Sequence, residues 1–325
     1  MAQYPLDGNS RPVSPIVMQM VTGFANQMGN FLAGDILPAV PTGGQRTGTI
    51  MGANIENFFG NADADYVRAE NGAHHTDFGP QLTNQTFLTQ ERAAKSGIDW
   101  VKQGRSQLPQ DLRAMGIARV KTNLKIDREV RLSALLGTGG NWTNTASPGV
   151  KWDLAAGDPI ADISTAIETV AGFGVRPNRM VVSRQARRTL QQSPAILEFS
   201  ATTGDRNKMT TSGLKAKLAA LFEMEIENIF YAEGRRNTAS PGQTPVLADV
   251  HDDYLWVGYL GTASVPFEGG VNLQPTAAAR FQEFDFEERE WDDDDTKTLW
   301  TGISYSEQMK VVQAQLGYPI TNVTT

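Results

Sequence analysis

The stretch from Gly157 to Pro194 leaves this chain the least conformational freedom. Asp158 followed by Pro159 is a helix start: the carboxylate can cap free amides, and the proline's missing N–H costs nothing at the first helical position. Ile160, Ile163, Ile167 and Val170 then recur at helical spacing, and Gly172 and Gly174 supply a stop. Arg176-Pro177-Asn178 reads as a turn, because the proline ring presets φ and asparagine tolerates left-handed backbone. Met180 to Val182 is an apolar run too short for a helix and reads as a buried strand. Ser183 caps a second helix carrying Ala186 and Leu190, and Ser193-Pro194 repeats the cap-and-proline start before Ile196, Leu197 and Phe199. Helix, turn, central strand, helix is a compact α/β unit, and it contains no catalytic motif.

A helix opening on Asp-Pro, an Arg-Pro-Asn turn before a buried strand and a helix closing on Ser-Pro together resemble the axial domain of tailed-bacteriophage major capsid proteins, the Hong Kong 97-like fold. The order of the other segments agrees with that resemblance. Met1 to Ser14 is a polar, proline-bearing arm that orders only against something else, and Pro15 to Phe31 is a helix candidate with Ile16, Met20, Phe24 and Met28 on one face. Phe31 to Pro41 is extended, forced by Pro38 and Pro41. Thr47 to Trp100 reads as a long two-stranded ribbon with a polar tip, Gly60 to Gly79, that buries too little to stand alone. The resemblance makes it the extended loop that lies over an adjacent subunit.

Leu108 to Leu136 is the longest helix candidate, starting at Pro109 and ending at Gly137. Its two apolar stripes (Leu112, Met115, Ile126 and Val130; Ile117, Val120, Leu124 and Leu135) suit burial on two sides. By resemblance it is the spine helix. Gly137 to Gly149 is a linker and a domain boundary. Ser200 to Ser212 is a polar loop that the resemblance places near the centre of a ring of subunits. Gly213 to Glu223 is an amphipathic helix, and Ile226 to Tyr231 and Tyr254 to Leu260 are strands. Phe281, Phe284 and Phe286 lead into a hairpin turning at Asp292 to Asp295 and returning on Leu299, Thr301, Ile303 and Tyr305. Met309 to Ile320 is a last strand added to the α/β sheet.

The expected fold is therefore α+β. It comprises an N-terminal arm (1–46), an extended β-hairpin loop (47–100), a peripheral domain with the spine helix (101–150) and an axial α/β domain (151–263). A peripheral-domain β-hairpin (264–305) and a C-terminal strand returning to the axial domain (306–325) complete it.

Chemistry is thin. The absence of cysteine excludes disulfides, thiolate metal sites and cysteine nucleophiles. A net charge of -7 repels phosphate at long range, which disfavours tight nonspecific nucleic-acid binding but suits a container around DNA. No apolar run approaches the roughly 20 residues of a membrane span, and no leader pattern opens the chain. Gly137-Thr138-Gly139-Gly140 lacks the Gly-Lys-Ser/Thr of a phosphate loop, and Gly302-Ile303-Ser304-Tyr305-Ser306 lacks the second glycine of a nucleophile elbow. His251-Asp252 is the one pair that a metal-dependent hydrolase could use, but the other histidines, His74 and His75, sit in the ribbon tip. Asp292 to Asp295 has Lys297 where a calcium loop needs glycine, so a solvated turn outweighs a weak cation site. The basic clusters Arg184, Arg187, Arg188 and Lys121, Lys125, Arg128, Arg131 have no interleaved aromatics for nucleic-acid stacking, and read as intersubunit salt bridges or solvated faces.

The expectation is a capsid protomer with no catalytic, cofactor or metal residue. The resemblance implies self-assembly into pentamers and hexamers of an icosahedral shell around double-stranded DNA. It further implies separate scaffolding, portal and cement or decoration proteins, only loose contact with DNA, no membrane, and assembly in the host bacterial cytoplasm. The alternatives are a metal-dependent hydrolase using His251 and Asp252 with the acidic turn, and a phage tail or baseplate structural protein. Some relatives of this fold cross-link a loop lysine to a neighbour's asparagine. Here the first lysine is Lys95, at the loop's base, so a noncovalent shell is expected.

Overall fold

The computed structural model describes residues 31–53, 82–99, 109–198, 209–240, 242–261, 265–267, 271–273 and 275–325. The arm Met1 to Ser14, nearly all of the Pro15–Phe31 helix candidate, the ribbon tip with His74 and His75, and most of the Ser200–Ser212 loop lie outside them.

In chain order the first elements are β1 (Ala39–Pro41), β2 (Thr47–Ala53), β3 (Leu82–Leu88), β4 (Gln90–Asp99) and the long helix α1 (Pro109–Gly137). Then come α2 (Pro159–Ala171), β5 (Arg179–Ser183), α3 (Arg184–Gln192), α4 (Pro194–Glu198) and α5 (Thr211–Phe222). Six short strands follow: β6 (Ile229–Ala232), β7 (Arg235–Asn237), β8 (Leu247–Asp249), β9 (Tyr254–Gly258), β10 (Val265–Phe267) and β11 (Val271–Leu273). Two long strands, β12 (Ala278–Asp293) and β13 (Thr298–Val311), precede the last, β14 (Gly317–Thr321).

The unit that the Asp-Pro start announces is present. Asp158 accepts hydrogen bonds from the Ile160 and Ala161 amides, satisfying two of the donors that open α2. The expected central strand, β5, lies in a sheet ordered β14-β9-β5-β6, parallel to β6 and antiparallel to β9. Because strand side chains alternate, this sheet divides two cores. Met180, Val182, Leu255, Val257 and Ile320 face a cluster with α2, α3 and α5, while Val181, Tyr254 and Trp256 face the C-terminal half of α1.

The long helix begins and ends where its proline and glycine suggest. Its buried row is Val120, Leu124, Arg128, Leu132 and Leu136, with Met115 exposed, so the two expected stripes reduce to one line with partly buried flanks. The front of this line meets Ile303 and Tyr305, and the rear enters the cluster of Leu32, Ala33, Ile36, Leu37 and Trp256.

Four local expectations change. Gln90–Asp99 leaves the ribbon and pairs with β13 in a sheet ordered β1-β12-β13-β4, so the ribbon proper is β2 with β3. Ile226–Asn228 is a 3-10 turn, and the strand starts at Ile229. Met309–Ile320 is not one strand: the hairpin ends at Val311, a 3-10 turn spans Ala314–Leu316, and β14 alone joins the axial sheet beside β9. The acidic hairpin turns at 294–297 rather than 292–295, since Asp292 and Asp293 still pair with Leu299 and Thr298. Register shifts between Gln282 and Phe284 and between Phe284 and Glu287 explain why the Phe281–Glu288 alternation slips.

The Gly137–Gly149 segment is more ordered than a linker. The Asn141 amide donates to the Ala134 and Leu135 carbonyls and the Trp142 indole also donates to Leu135, capping α1 from beyond its end. Trp142 lies 5.5 Å from Trp256 and directly over Gly317, where any Cβ would collide with the indole. Glycine there is a condition of the close approach.

Candidate functional site: the junction of the long helix, the hairpin sheet and the ribbon

Three arginines and three carboxylates meet where α1 crosses the β12–β13 hairpin. Arg128 is nearly buried, with Nη2 2.9 Å from Asp285 and 3.0 Å from Glu307, and its guanidinium lies over Phe286 and Tyr305. Arg131 donates to Glu307 at 2.9 Å and to the Tyr305 hydroxyl at 2.6 Å; that hydroxyl donates to Asp127 at 2.9 Å. Arg280 stands 3.6 Å from Glu307. Glu307, fully enclosed, is thus the shared counter-ion of all three cations.

The protonation behaviour follows from this crowding. Burial works against the Arg131 charge, yet Tyr305, Glu307 and Asp127 outweigh it and hold the group above its ordinary value. Arg280 is pushed down, first by burial and then by Arg128 beside it. Burial raises Tyr305 to about 12 against the opposing pull of Arg131. Asp285 falls below its ordinary value: burial opposes the shift, but its Arg128 hydrogen bond and charge prevail. The network is close in distance but imperfect in direction. Glu307 Oε2, Arg128 Nε and Arg280 Nε and Nη1 lack a well-aligned hydrogen-bond partner among the described residues.

The ribbon is rooted beside this junction. Phe87 stacks on Phe281 at 4.9 Å with the rings nearly parallel. The Gln85 amide donates to the Val312 carbonyl at 2.9 Å, Lys310 to the Thr86 carbonyl at 2.5 Å, and the Leu88 N–H to Gln308 at 2.7 Å. As strands, β2 and β3 pair only with each other among the described residues.

The residues weighed for chemistry are dispersed. His251 is fully buried between Glu129, 2.6 Å from its Nε2, and the Tyr254 hydroxyl, 2.5 Å from its Nδ1, so both ring nitrogens are engaged by protein groups. Asp252 instead accepts the Asp253 N–H. Asp293 accepts two turn amides, from Asp295 and Thr296, which is a turn's own hydrogen bonding. Gly302 to Ser306 lies mid-strand in β13. No group of three or more metal-type side chains occurs among the described residues, and none of their helices is long and apolar enough to cross a membrane. Of the basic clusters, Arg184 pairs with Asp249, Arg187 with Glu233 and Lys121 with Glu288 inside the chain. Arg128 and Arg131 belong to the buried network, which sequence alone did not reveal; the partners lie some 150–180 positions away.

A helix crossing the hairpin sheet, an α/β sheet packed on the same helix's rear, and a separate two-stranded ribbon make up an architecture of the Hong Kong 97-like fold. No family model matches the chain. It is similar to the major capsid protein of Pseudomonas phage JBD67, 25% identical over 243 residues, 73% of each chain. Among solved structures it resembles a phage-related protein from Bordetella bronchiseptica RB50 (TM-score 0.65, 20% identity, 96% of this chain and 98% of that one). It also resembles the mature capsid of bacteriophage PhiM1 (TM-score 0.56, 12% identity, 92% and 88%).

Proposed function

We propose that this chain is a phage major capsid protein whose work is self-assembly, not catalysis. The observation that carries the reading is the ribbon: firmly rooted at Phe87 and Gln85, paired with no further strand among the described residues, and therefore suited to lie on a neighbouring copy and exchange backbone hydrogen bonds with it. The fold likeness over nearly the whole of both chains supports the same reading. In it, residues 47–100 form the extended loop with its base, 101–150 and 264–305 the peripheral domain, 151–263 with 306–325 the axial domain, and 1–46 the arm. Copies gather as pentamers and hexamers around double-stranded DNA in the host cytoplasm, with scaffolding, portal and cement proteins as separate chains.

The shell is held without covalent links. Lys95 lies on β4 with its ammonium 4.0 Å from the centre of the Trp300 ring, already engaged within its own chain. Sedimentation of the expressed full-length chain tests the assignment: particles of many copies support it, and a monomer or small oligomer under all assembly conditions rejects it. Boiled in detergent, the particles are expected to give one band at the monomer mass; a covalent ladder would contradict the noncovalent reading.

A further inference from the structure

Glu129 does something in this molecule that shell-building alone does not require. It is completely buried on α1, one position beyond Arg128, and its Oε2 accepts the backbone N–H groups of Leu32 at 2.9 Å and Ala33 at 2.8 Å. Its Oε1 is 2.6 Å from His251 Nε2. A buried carboxylate is strongly unfavourable unless donors surround it, and two successive amides with an imidazole N–H form such a set. On the other side of the ring, His251 Nδ1 is 2.5 Å from the Tyr254 hydroxyl, so both ring nitrogens are held. The Tyr254 amide in turn donates to Ser183, the cap of α3. One helical turn after Glu129, Ser133 donates to the Val250 carbonyl, so the histidine-bearing loop is tied to the helix at a second point.

Three distant segments therefore converge on one carboxylate: 32–33, the middle of α1, and the loop that opens the axial strand β9. From Pro38 onward the segment is held by backbone pairing with β12, but at Leu32 and Ala33 the remaining hold is apolar burial with Ile36 and Leu37, which specifies depth but not direction. The two amide bonds supply direction.

We propose that Glu129, oriented by His251, is a clamp that fixes the Leu32–Ala33 segment and couples its placement to the contact between the long helix and the axial sheet. The clamp belongs to the single protomer, so it is tested separately from shell formation. If the helix shifts against the axial sheet, the Glu129–His251 distance and the Leu32–Ala33 bonds change together. A strap held only by apolar contact would stay in place.

The test is hydrogen exchange, read by mass spectrometry on the full-length chain, comparing peptides over Leu32–Leu37 with peptides over Met180–Val182. Glu129→Gln keeps a carbonyl for the two amides while presenting an N–H to His251, which the ring can accept by changing tautomer. The double variant Glu129→Leu, His251→Phe removes the polar set and refills the space with apolar groups, a replacement that buried ion pairs commonly tolerate. In the double variant the Leu32 and Ala33 amides are expected to exchange about tenfold faster, with the Met180–Val182 amides unchanged. In Glu129→Gln the acceleration is expected to be smaller, about threefold. Unchanged protection of Leu32–Leu37 in the double variant overturns the clamp. Equal acceleration of both peptides, global unfolding included, also overturns it, because Glu129 would then be an ordinary part of the core.

Discussion

The axial unit and the peripheral unit of this protein are built on opposite principles. Around β5 and β9, nearly every inward side chain is apolar and completely enclosed: Ile163, Val170, Met180, Leu190, Leu214, Leu218, Leu255 and Val257 have no water contact. Where α1 crosses the hairpin, the apolar contact shrinks to Val120, Leu124, Ile303 and Tyr305, and the remaining space is filled by Arg128, Arg131, Arg280 and Glu307. The first arrangement gains stability from burial, about 1.5–3 kcal/mol for each large aliphatic side chain. The second gains little net energy, because the desolvation of the charges offsets much of their attraction, but it sets a register between helix and sheet.

The largest expected effect comes from removing the shared counter-ion. Glu307→Ala leaves three guanidiniums facing one another, and a cost of about 4 kcal/mol is expected from the loss of a buried partner. Denaturant titration should show it; a change below about 1 kcal/mol would mean that the charges do not hold the hairpin to the helix. In the axial unit the comparable loss is apolar. Leu218→Ala should cost about 3 kcal/mol through the cavity it leaves, with the peripheral contacts unaffected.

A smaller stability effect separates folding from assembly. Phe87→Ala removes the stack on Phe281 at the ribbon's root and should cost the monomer about 1 kcal/mol beyond the lost burial. Because the ribbon's direction depends on that root, the same variant should give fewer or misshapen particles; normal particles would show that neighbours alone position the ribbon.

The smallest effect is electrostatic and has a defined sign. Asp285 titrates below its ordinary 3.8 in the folded protein, so its contribution is fully present above that value and is lost as pH falls through the lowered one. Acid should therefore loosen the hairpin contact below about pH 4. Asp285→Asn should remove that part of the pH dependence; an unaltered acid profile would assign it elsewhere.

The same contrast decides what could be read from the chain beforehand. The axial unit was legible because its signals are local: Asp158 caps the helix that follows it, and Met180 to Val182 is a short apolar run between turn residues. The ends of α1 were legible for the same reason, since Pro109 and Gly137 act on their own backbone. The junction was not legible. Nothing around Arg128 or Glu129 distinguishes them from solvated charges of a long helix, and their partners Glu307 and His251 become neighbours only after the fold has formed. β4 was misplaced for a related reason: its alternation of exposed and partly buried residues serves a ribbon or a sheet equally well, and only pairing with β13 decides between them.

The central claim is that the axial unit is complete within one chain whereas the ribbon is completed by a neighbour. Hydrogen exchange of the full-length protein before and after assembly tests it most directly. The account predicts that Met180–Val182 is strongly protected in both states, while β2 and β3, Thr47–Ala53 and Leu82–Leu88, gain most of their protection on assembly. Ribbon amides as protected as Met180–Val182 in the isolated subunit would contradict it.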